Sequence, residues 1–564
     1  MAAVQWDHTV DVLVIGSGAG GLAAALSAAQ GHADVLVVEK GDKWGGTSAT
    51  SGGGIWIAAS SPALAAGHQD SVEEAFGYVR LQSAPNVPDS LIRGYLEGAV
   101  KMLDWLHAST PVRYDPMPYP DYRVELPGGR AGFRTHLPNA LDGRKLGKEI
   151  LTLRAASPAA SLFGIVNWRF DETYSLLFRP KGWMTTLAKM FWRYGSDLPH
   201  RLHSTKDRYL TLGNALVGGL RIATVEHGVP LWLKTALVDL VREENGRIVG
   251  AVVEREGRRM TIATRKGIVL AAGGFERNPQ MRKRYLKVSD DPTVSGSQIN
   301  NTGDSIVAAE KVGAALRNMH SIWSAPVFRV PGEERARLST VDRALPGCIM
   351  VNQAGKRYMN EATSYHDAGR AMFEADVPGA STQPSWVVFD HVFRHKYPMG
   401  PLLPLIPDAL QSRGVRKMMR KASSIADLAR KIGVPAEALT QTVQRFNEGA
   451  VKGEDPEFGK GANTYDKMYG DQRVQPNPCL APILKAPFYA IPIYAGDIGT
   501  NGGIVTDDHG RVLDENDKPI PGLFAAGNNA ASSMGESYPG AGVTLGPALT
   551  FGYIAGRQLT GANA

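Results

Sequence analysis

Four consecutive apolar residues, Val12-Leu13-Val14-Ile15, follow a polar start and stop at a glycine. A short unbroken apolar run bounded by turn residues predicts a buried strand. From Leu22 to Ala29 the residues are small or apolar with no breaker, which predicts a closely packed helix. A second run, Val35-Leu36-Val37-Val38, predicts another buried strand and ends at Glu39. Two further runs end in small residues: Ile268-Val269-Leu270-Ala271-Ala272-Gly273-Gly274, and Gly522-Leu523-Phe524-Ala525-Ala526-Gly527 followed by Asn528. Strands that finish on Ala-Gly or Gly-Gly let a ligand approach the backbone. Thr235–Val241, Gly250–Val253 and Met260–Ala263 read as strands, with Asn245-Gly246 as a hairpin turn. Ser71 to Leu106 reads as helical with breaks near Pro85 and Pro88, and residues 110–140, rich in Pro, Gly and Tyr, read as loop.

Between the first strand and the first helix stands Gly16-Ser17-Gly18-Ala19-Gly20-Gly21. Strand, glycine-rich turn, helix, strand and acid follow in the order a dinucleotide requires. The glycines allow the tight turn and close approach of a pyrophosphate, the helix start supplies free N–H groups, and Glu39 accepts from a ribose. Lys40 and the stretch Gly45 to Gly54, with Gly46, Thr47, Ser48, Ser51, Gly52, Gly53 and Gly54, lie close behind that acid. Small hydroxyl and glycine residues there suit a second phosphate and a flavin, which a nicotinamide enzyme would not need. Ala236 and Leu237, Ala272 and Gly273, and Gly527 and Asn528 complete a non-covalent FAD site built from both ends of the chain. Asp304, in Thr302-Gly303-Asp304, either touches the cofactor or caps the following helix.

The resulting fold class is α/β: a discontinuous Rossmann-like FAD-binding domain with an inserted α+β catalytic domain. Residues 1–322 form the first part of the FAD-binding domain, 323–496 the catalytic domain and 497–564 the return segment. An aromatic-basic insertion occupies about 150–210. Within it, between 168 and 201, Trp168, Phe170, Tyr174, Phe178, Trp183, Phe191, Trp192 and Tyr194 interleave with Arg169, Arg179, Lys181, Lys189, Arg193 and Arg201. Such an amphipathic stretch reads either as a peripheral membrane contact or as a lid or subunit layer.

Composition narrows the field modestly. The 564 residues are 43% apolar and 21% charged, with a net charge of +7. That bias is too mild to argue for nucleic acid, and no basic tract or zinc-finger spacing supports one. The only cysteines, Cys348 and Cys479, make neither a disulfide framework nor a metal cluster. With no secretory signal at the start and no ~20-residue apolar span, the expected place is the cytoplasm, with the inner membrane face as a peripheral option. No metal is expected, and the oligomeric state is left open.

The chain closes on Glu536-Ser537-Tyr538-Pro539-Gly540-Ala541-Gly542-Val543-Thr544-Leu545-Gly546. A helix starting near Gly542 to Thr544 would aim N–H groups at a flavin, with Val543, Thr544 and Leu545 beside it. Here the chain resembles the 3-ketosteroid Δ1-dehydrogenases, within the wider fumarate reductase and succinate dehydrogenase flavoprotein family. Tyr538-Pro539-Gly540-Ala541-Gly542 is similar to their Tyr-Pro-Gly-x-Gly. Tyr122, in Pro120-Asp121-Tyr122 ahead of Pro127-Gly128-Gly129, resembles their front tyrosine. Tyr365, in Asn360-Glu-Ala-Thr-Ser-Tyr365 after Gly355-Lys-Arg-Tyr-Met359, resembles their catalytic-domain tyrosine. The dicarboxylate enzymes of the wide family carry a histidine and an arginine near this position, and this chain has neither there.

The resemblance implies an oxidoreductase acting on CH–CH groups. Tyr538 and the Gly542 N–H would hold the ketone oxygen of a 3-ketosteroid, and Tyr365 would take the C2 proton with Tyr122 in support. FAD would receive the C1 hydride, and a quinone-type or artificial acceptor would collect the electrons. An ordinary tyrosine, with a pKa near ~10, would need that value lowered or a route to pass its proton onward. Competing readings are 4,5-desaturation, another fumarate-reductase-like flavoprotein, and a membrane-surface electron-transfer flavoprotein. Among 18 tyrosines any one is more often a packing residue. Tyr469 and Tyr494 stay unassigned, and His366 reads as a neighbour.

Overall fold

The computed structural model describes residues 5–286 and 289–561. Its larger sheet is built on the strands His8–Ile15 and Val35–Val38, which run parallel with their apolar residues fully paired. On one side Leu231–Trp232 extends the parallel ladder; on the other lies Arg258–Leu270. That last strand runs for 13 residues, where the sequence pattern gave two separate runs. Its first half pairs antiparallel with Ile248–Arg255, itself paired with Thr235–Arg242. Its second half pairs parallel with Pro519–Ala525. Gly267, with φ +156°, sits between the two halves against Gly522, where a side chain would not fit. One strand therefore carries both the hairpin and the return of the distant chain end.

The second sheet is antiparallel. Its order is Arg337–Leu338, Ile322–Phe328, Phe488–Thr500, Ser385–Phe389 and Cys348–Val351, with Arg420–Ala422 also paired to Phe488–Thr500. The helix Tyr365–Glu374 packs on it: a side chain at Gly369 would press on the backbone of Ser324 and Ala325. The stretch 110–140 differs from its loop reading. Thr135–Pro138 pairs with Tyr114–Pro116 on one side and with Ile55–Trp56 on the other. Those strands are too short for periodicity to reveal.

Small residues set a close approach between the helices Ala19–Gln30 and Leu545–Thr560. A Cβ on Gly552 would sit 2.3 Å from the Gly20 carbonyl oxygen, and one on Gly556 would sit 2.5 Å from that of Ala24. Glycine is thus what lets the N-terminal helix and the C-terminal helix share one layer. Gly552→Val is expected to cost about 1–3 kcal/mol through overpacking, read as a lower melting temperature with less flavin retained. An unchanged melt would show that the helices part freely.

Candidate functional site

Two helix N-termini face one large cavity of about 740 Å³. The first belongs to Ala19–Gln30, preceded by the glycine-rich turn. Gly16 has φ +105°, and a Cβ there would strike the Ala271 carbonyl at 2.4 Å. This position needs glycine for both backbone angle and space. Gly21 lies inside the turn, where a Cβ would come within 2.0 Å of the Gly16 oxygen. At Gly18 and Gly46 the backbone is bare toward the cavity, and a Cβ on Gly52 would meet nothing within 4 Å. Unsatisfied N–H groups at a helix start beside bare backbone form a cradle for phosphate.

Glu39 closes that end. Its carboxylate accepts from the Ser17 hydroxyl at 2.6 Å and from the Gly41 N–H at 2.8 Å, and Gly45 N–H donates in turn to Ser17. The acid is thereby fixed at the end of its strand, at the cavity wall. Lys40 donates to Thr302 and Asp304, both at 2.6 Å. Asp304 begins the helix Asp304–Lys311 and also lines the cavity.

The second helix start is Leu545–Thr560, with Thr544 at its cap. Gly542 has φ +107°, and a Cβ on it would collide with Ile55 at 2.5 Å. The turn before it is seated by Gly540, whose missing side chain leaves room for Trp56. Tyr538 stands ahead of that turn, and Tyr365 opens the helix Tyr365–Glu374 with Ser364 as its cap. The Tyr365 hydroxyl donates to the Tyr538 hydroxyl. Tyr122 stacks on Tyr538, rings 5.4 Å apart and 10° from parallel, and meets Tyr365 edge-on at 5.7 Å. Residues 122, 365 and 538, far apart in sequence, are thus in mutual ring contact.

What places Tyr122 there is a set of buried polar contacts. Its N–H donates to the Pro539 carbonyl at 2.9 Å, which Tyr78 also holds at 2.8 Å. The preceding Asp121 accepts from Trp56 at 2.7 Å, from Arg134 at 2.9 Å and from the Arg130 N–H at 3.0 Å. Burial still pushes the Asp121 carboxyl up to about 6, with Arg134 pulling it back. Behind Tyr538, Trp323 lies edge-on at 5.2 Å and His366 at 5.4 Å. His366 engages the Glu536 carbonyl and Ser324, and burial pushes its pKa down to about 4, leaving it neutral.

All three phenols are held above the ordinary tyrosine value. Burial is the main cause for each; neighbouring phenols add to it for Tyr122 and Tyr365. Of the two routes open to Tyr365 at the sequence level, the pKa is not lowered, and a hydrogen bond onward to Tyr538 is present.

Most of the expected cofactor positions lie on this cavity: Gly16 to Gly20, Glu39, Lys40, Gly46 to Ser48, Ser51 to Gly54, Leu237, Ala272, Gly273, Asp304, Gly527, Asn528, Thr544 and Leu545. Gly21, Ala236 and Val543 do not line it. Gly21 is packed inside the turn. Alternate residues of a strand face opposite sides, so Thr235 and Leu237 reach the cavity and Ala236 does not. Val543 is fully buried among the helices. Of the unassigned tyrosines, Tyr469 lines the cavity with Tyr119 and Tyr465, while Tyr494 lies beside Arg329 away from it. Gln298, Asn300 and Asn301 were not foreseen. Asn301 donates to Glu276 at 2.6 Å and to Thr47 at 3.2 Å, which ties the loop before Asp304 to the phosphate side. Their amide-rich run just ahead of Gly303 was the available signal. Trp168 and Phe170 also line the cavity, so the start of the aromatic-basic stretch is one of its walls.

The FAD binding domain family matches residues 11–545. A 3-oxosteroid 1-dehydrogenase of Mycolicibacterium smegmatis is 38% identical over 98% of this chain and 98% of its own length. A 4-oxocyclohexanecarboxylate 2-dehydrogenase of Sinomonas cyclohexanicum is 35% identical over 99% and 94%. The crystal structure of 3-ketosteroid delta1-dehydrogenase from Sterolibacterium denitrificans, in complex with 1,4-androstadiene-3,17-dione, superimposes with a TM-score of 0.94. It is 44% identical and covers 98% of this chain and 100% of that one.

Proposed function

The chain belongs to the FAD binding domain family, and from that premise we propose that it desaturates carbons 1 and 2 of 3-ketosteroids, turning a 4-ene-3-ketone into a 1,4-diene-3-ketone. The observation that carries this reading is the Tyr365–Tyr538 hydrogen bond, with Tyr122 stacked on it, in the same cavity as the cofactor cradle. The residues at the two helix starts would hold FAD, which would supply a hydride acceptor.

The residues explain how a weakly acidic proton leaves. Tyr538, kept neutral by burial, donates to the ketone oxygen, and the Gly542 N–H donates beside it. Oriented donors at a developing oxyanion contribute about 2.7–4 kcal/mol each in measured enzymes. The C2 proton passes to Tyr365 as the Tyr365 proton moves along the existing bond to Tyr538 and the Tyr538 proton moves to the ketone oxygen, giving the enol. On loss of the C1 hydride the enol proton returns along the same bonds, leaving one proton to be released. No free phenolate then has to form in a site that disfavours one. Tyr119, Tyr465 and Tyr122, all buried and all on the cavity wall, offer apolar faces to a ring system. Electrons leave afterwards to a quinone-type acceptor.

Product analysis tests the reading. With an artificial acceptor, the expected product of a 4-ene-3-ketosteroid is two mass units lighter and carries the 1,4-diene. A 5α-saturated ketone converted only to the 4-ene would assign the 4,5 bond instead. Turnover of a small oxocyclohexane acid with none of a steroid would overturn the substrate class.

The exposed face of the aromatic-basic stretch supports a peripheral contact with an anionic bilayer. Met184, Trp192, Leu198 and Leu202 are 66%, 78%, 68% and 82% exposed, and Lys181 and Lys189 are exposed on the same stretch. Apolar side chains with basic neighbours suit a lipid headgroup boundary. No helix among the described residues is long and apolar enough to cross a membrane. The protein is expected to sediment with vesicles containing acidic lipid. Met184→Glu with Trp192→Glu should cut that partition at least ~10-fold while leaving turnover unchanged. Equal binding by both forms would assign this face elsewhere.

A further inference from the structure

Desaturation leaves one proton behind in every turnover. The electron pair of the C1–H bond goes to FAD, and that of the C2–H bond becomes the new π bond. The C2 proton must therefore reach water. The tyrosines cannot keep it, since each is a neutral phenol before and after the reaction.

A second cavity, of about 340 Å³, lies beside the site, and its lining is unlike the first. It is formed by Arg123, Glu125, Asp367, Arg370 and Glu374, with Thr363 and Asn463 completing the wall. Tyr122 lines both cavities and so stands between them. Its hydroxyl is buried and makes no hydrogen bond within the protein. A buried hydroxyl without a partner is costly, and a water or a relayed proton would satisfy it. Asp367 is two residues beyond Tyr365 on the same helix, and Arg123 directly follows Tyr122. Their side chains pair at 3.0 Å, and the Ser364 hydroxyl fixes the other Asp367 oxygen at 3.0 Å. The elements that carry the two tyrosines thus also carry the ion pair of this polar chamber.

We propose that the second cavity is the outlet for the C2 proton, with Tyr122 as the dividing wall and the Asp367 carboxylate receiving the proton on its way to bulk water. Asp367 acts through Tyr122 and water, never on the substrate, and is a positioning residue. The inference rests on the desaturase reading.

The test uses holoenzyme whose flavin has been reduced beforehand, which blocks hydride transfer. A ketosteroid deuterated at C2 is added, and loss of deuterium to water is followed by mass spectrometry. Wild-type protein should exchange; no exchange would count against the desaturase reading itself. Asp367→Asn should slow the exchange at least ~10-fold, as expected for loss of a positioned proton acceptor. Steroid affinity and the flavin spectrum should stay as in wild type, and Asp367→Glu should exchange nearly normally. Formate added to Asp367→Asn should restore exchange in proportion to its concentration, which a merely structural defect would not show. Thr363→Leu, which narrows the chamber without touching the ion pair, should slow exchange in the same way and serves if Asp367→Asn does not fold. Wild-type exchange in both variants, or slowed exchange that formate leaves unchanged, would overturn the outlet.

Discussion

Tyr365→Phe is expected to lower steroid turnover by about 10²–10⁴-fold, the range for a positioned acid–base group. The aromatic ring, its edge-on contact with Tyr122 and the cap at Ser364 all survive the change. Flavin content, melting temperature and steroid affinity should therefore stay close to wild type, and the whole effect should fall on the chemical step. Single-turnover flavin reduction separates the two cases. A slow reduction with unchanged affinity supports Tyr365 at the C2 proton. Loss of binding with unchanged reduction at saturation would make it a packing residue.

Tyr538→Phe is expected to cost about 10²–10³-fold in kcat, as for loss of one oxyanion donor. It differs from the first variant in what it leaves behind. Tyr365 loses its acceptor and keeps a buried, unsatisfied hydroxyl, so some destabilisation should accompany the kinetic loss. The double variant should be little slower than the worse single one, because the two hydroxyls act as one relay and effects within a unit do not add. Full additivity in the logarithm of the rate would show that the two phenols act independently.

The cofactor cradle was the most legible part of the chain. Val12 to Glu39 holds strand, turn, helix, strand and acid within about thirty residues, so its geometry is local and backbone-driven. The glycines there are informative because each answers a specific collision, such as Gly16 against Ala271. The tyrosine cluster was legible only through resemblance. Nothing local to Tyr122 says that its N–H will bond Pro539, more than four hundred residues away. Tertiary pairing also decides what the pattern left open. Met260–Ala263 and Ile268–Leu270 read as two strands and fold as one, since the first half joins a hairpin and the second the returning chain. The phenol pKa values could not be read at all, because burial raises them and burial belongs to the assembled site. Ala236 does not line the cavity while Thr235 and Leu237 do, a strand alternation that the short apolar run did not show.

The central claim is that one cavity takes both FAD and a 3-ketosteroid, with the three tyrosines lining the steroid's part of it. Its most direct test is anaerobic addition of a 4-ene-3-ketosteroid to the purified yellow protein, following absorbance at the flavin maximum. Rapid bleaching with stoichiometric 1,4-diene-3-ketone is the predicted result. A flavin that stays oxidised while the steroid is recovered unchanged would contradict the account.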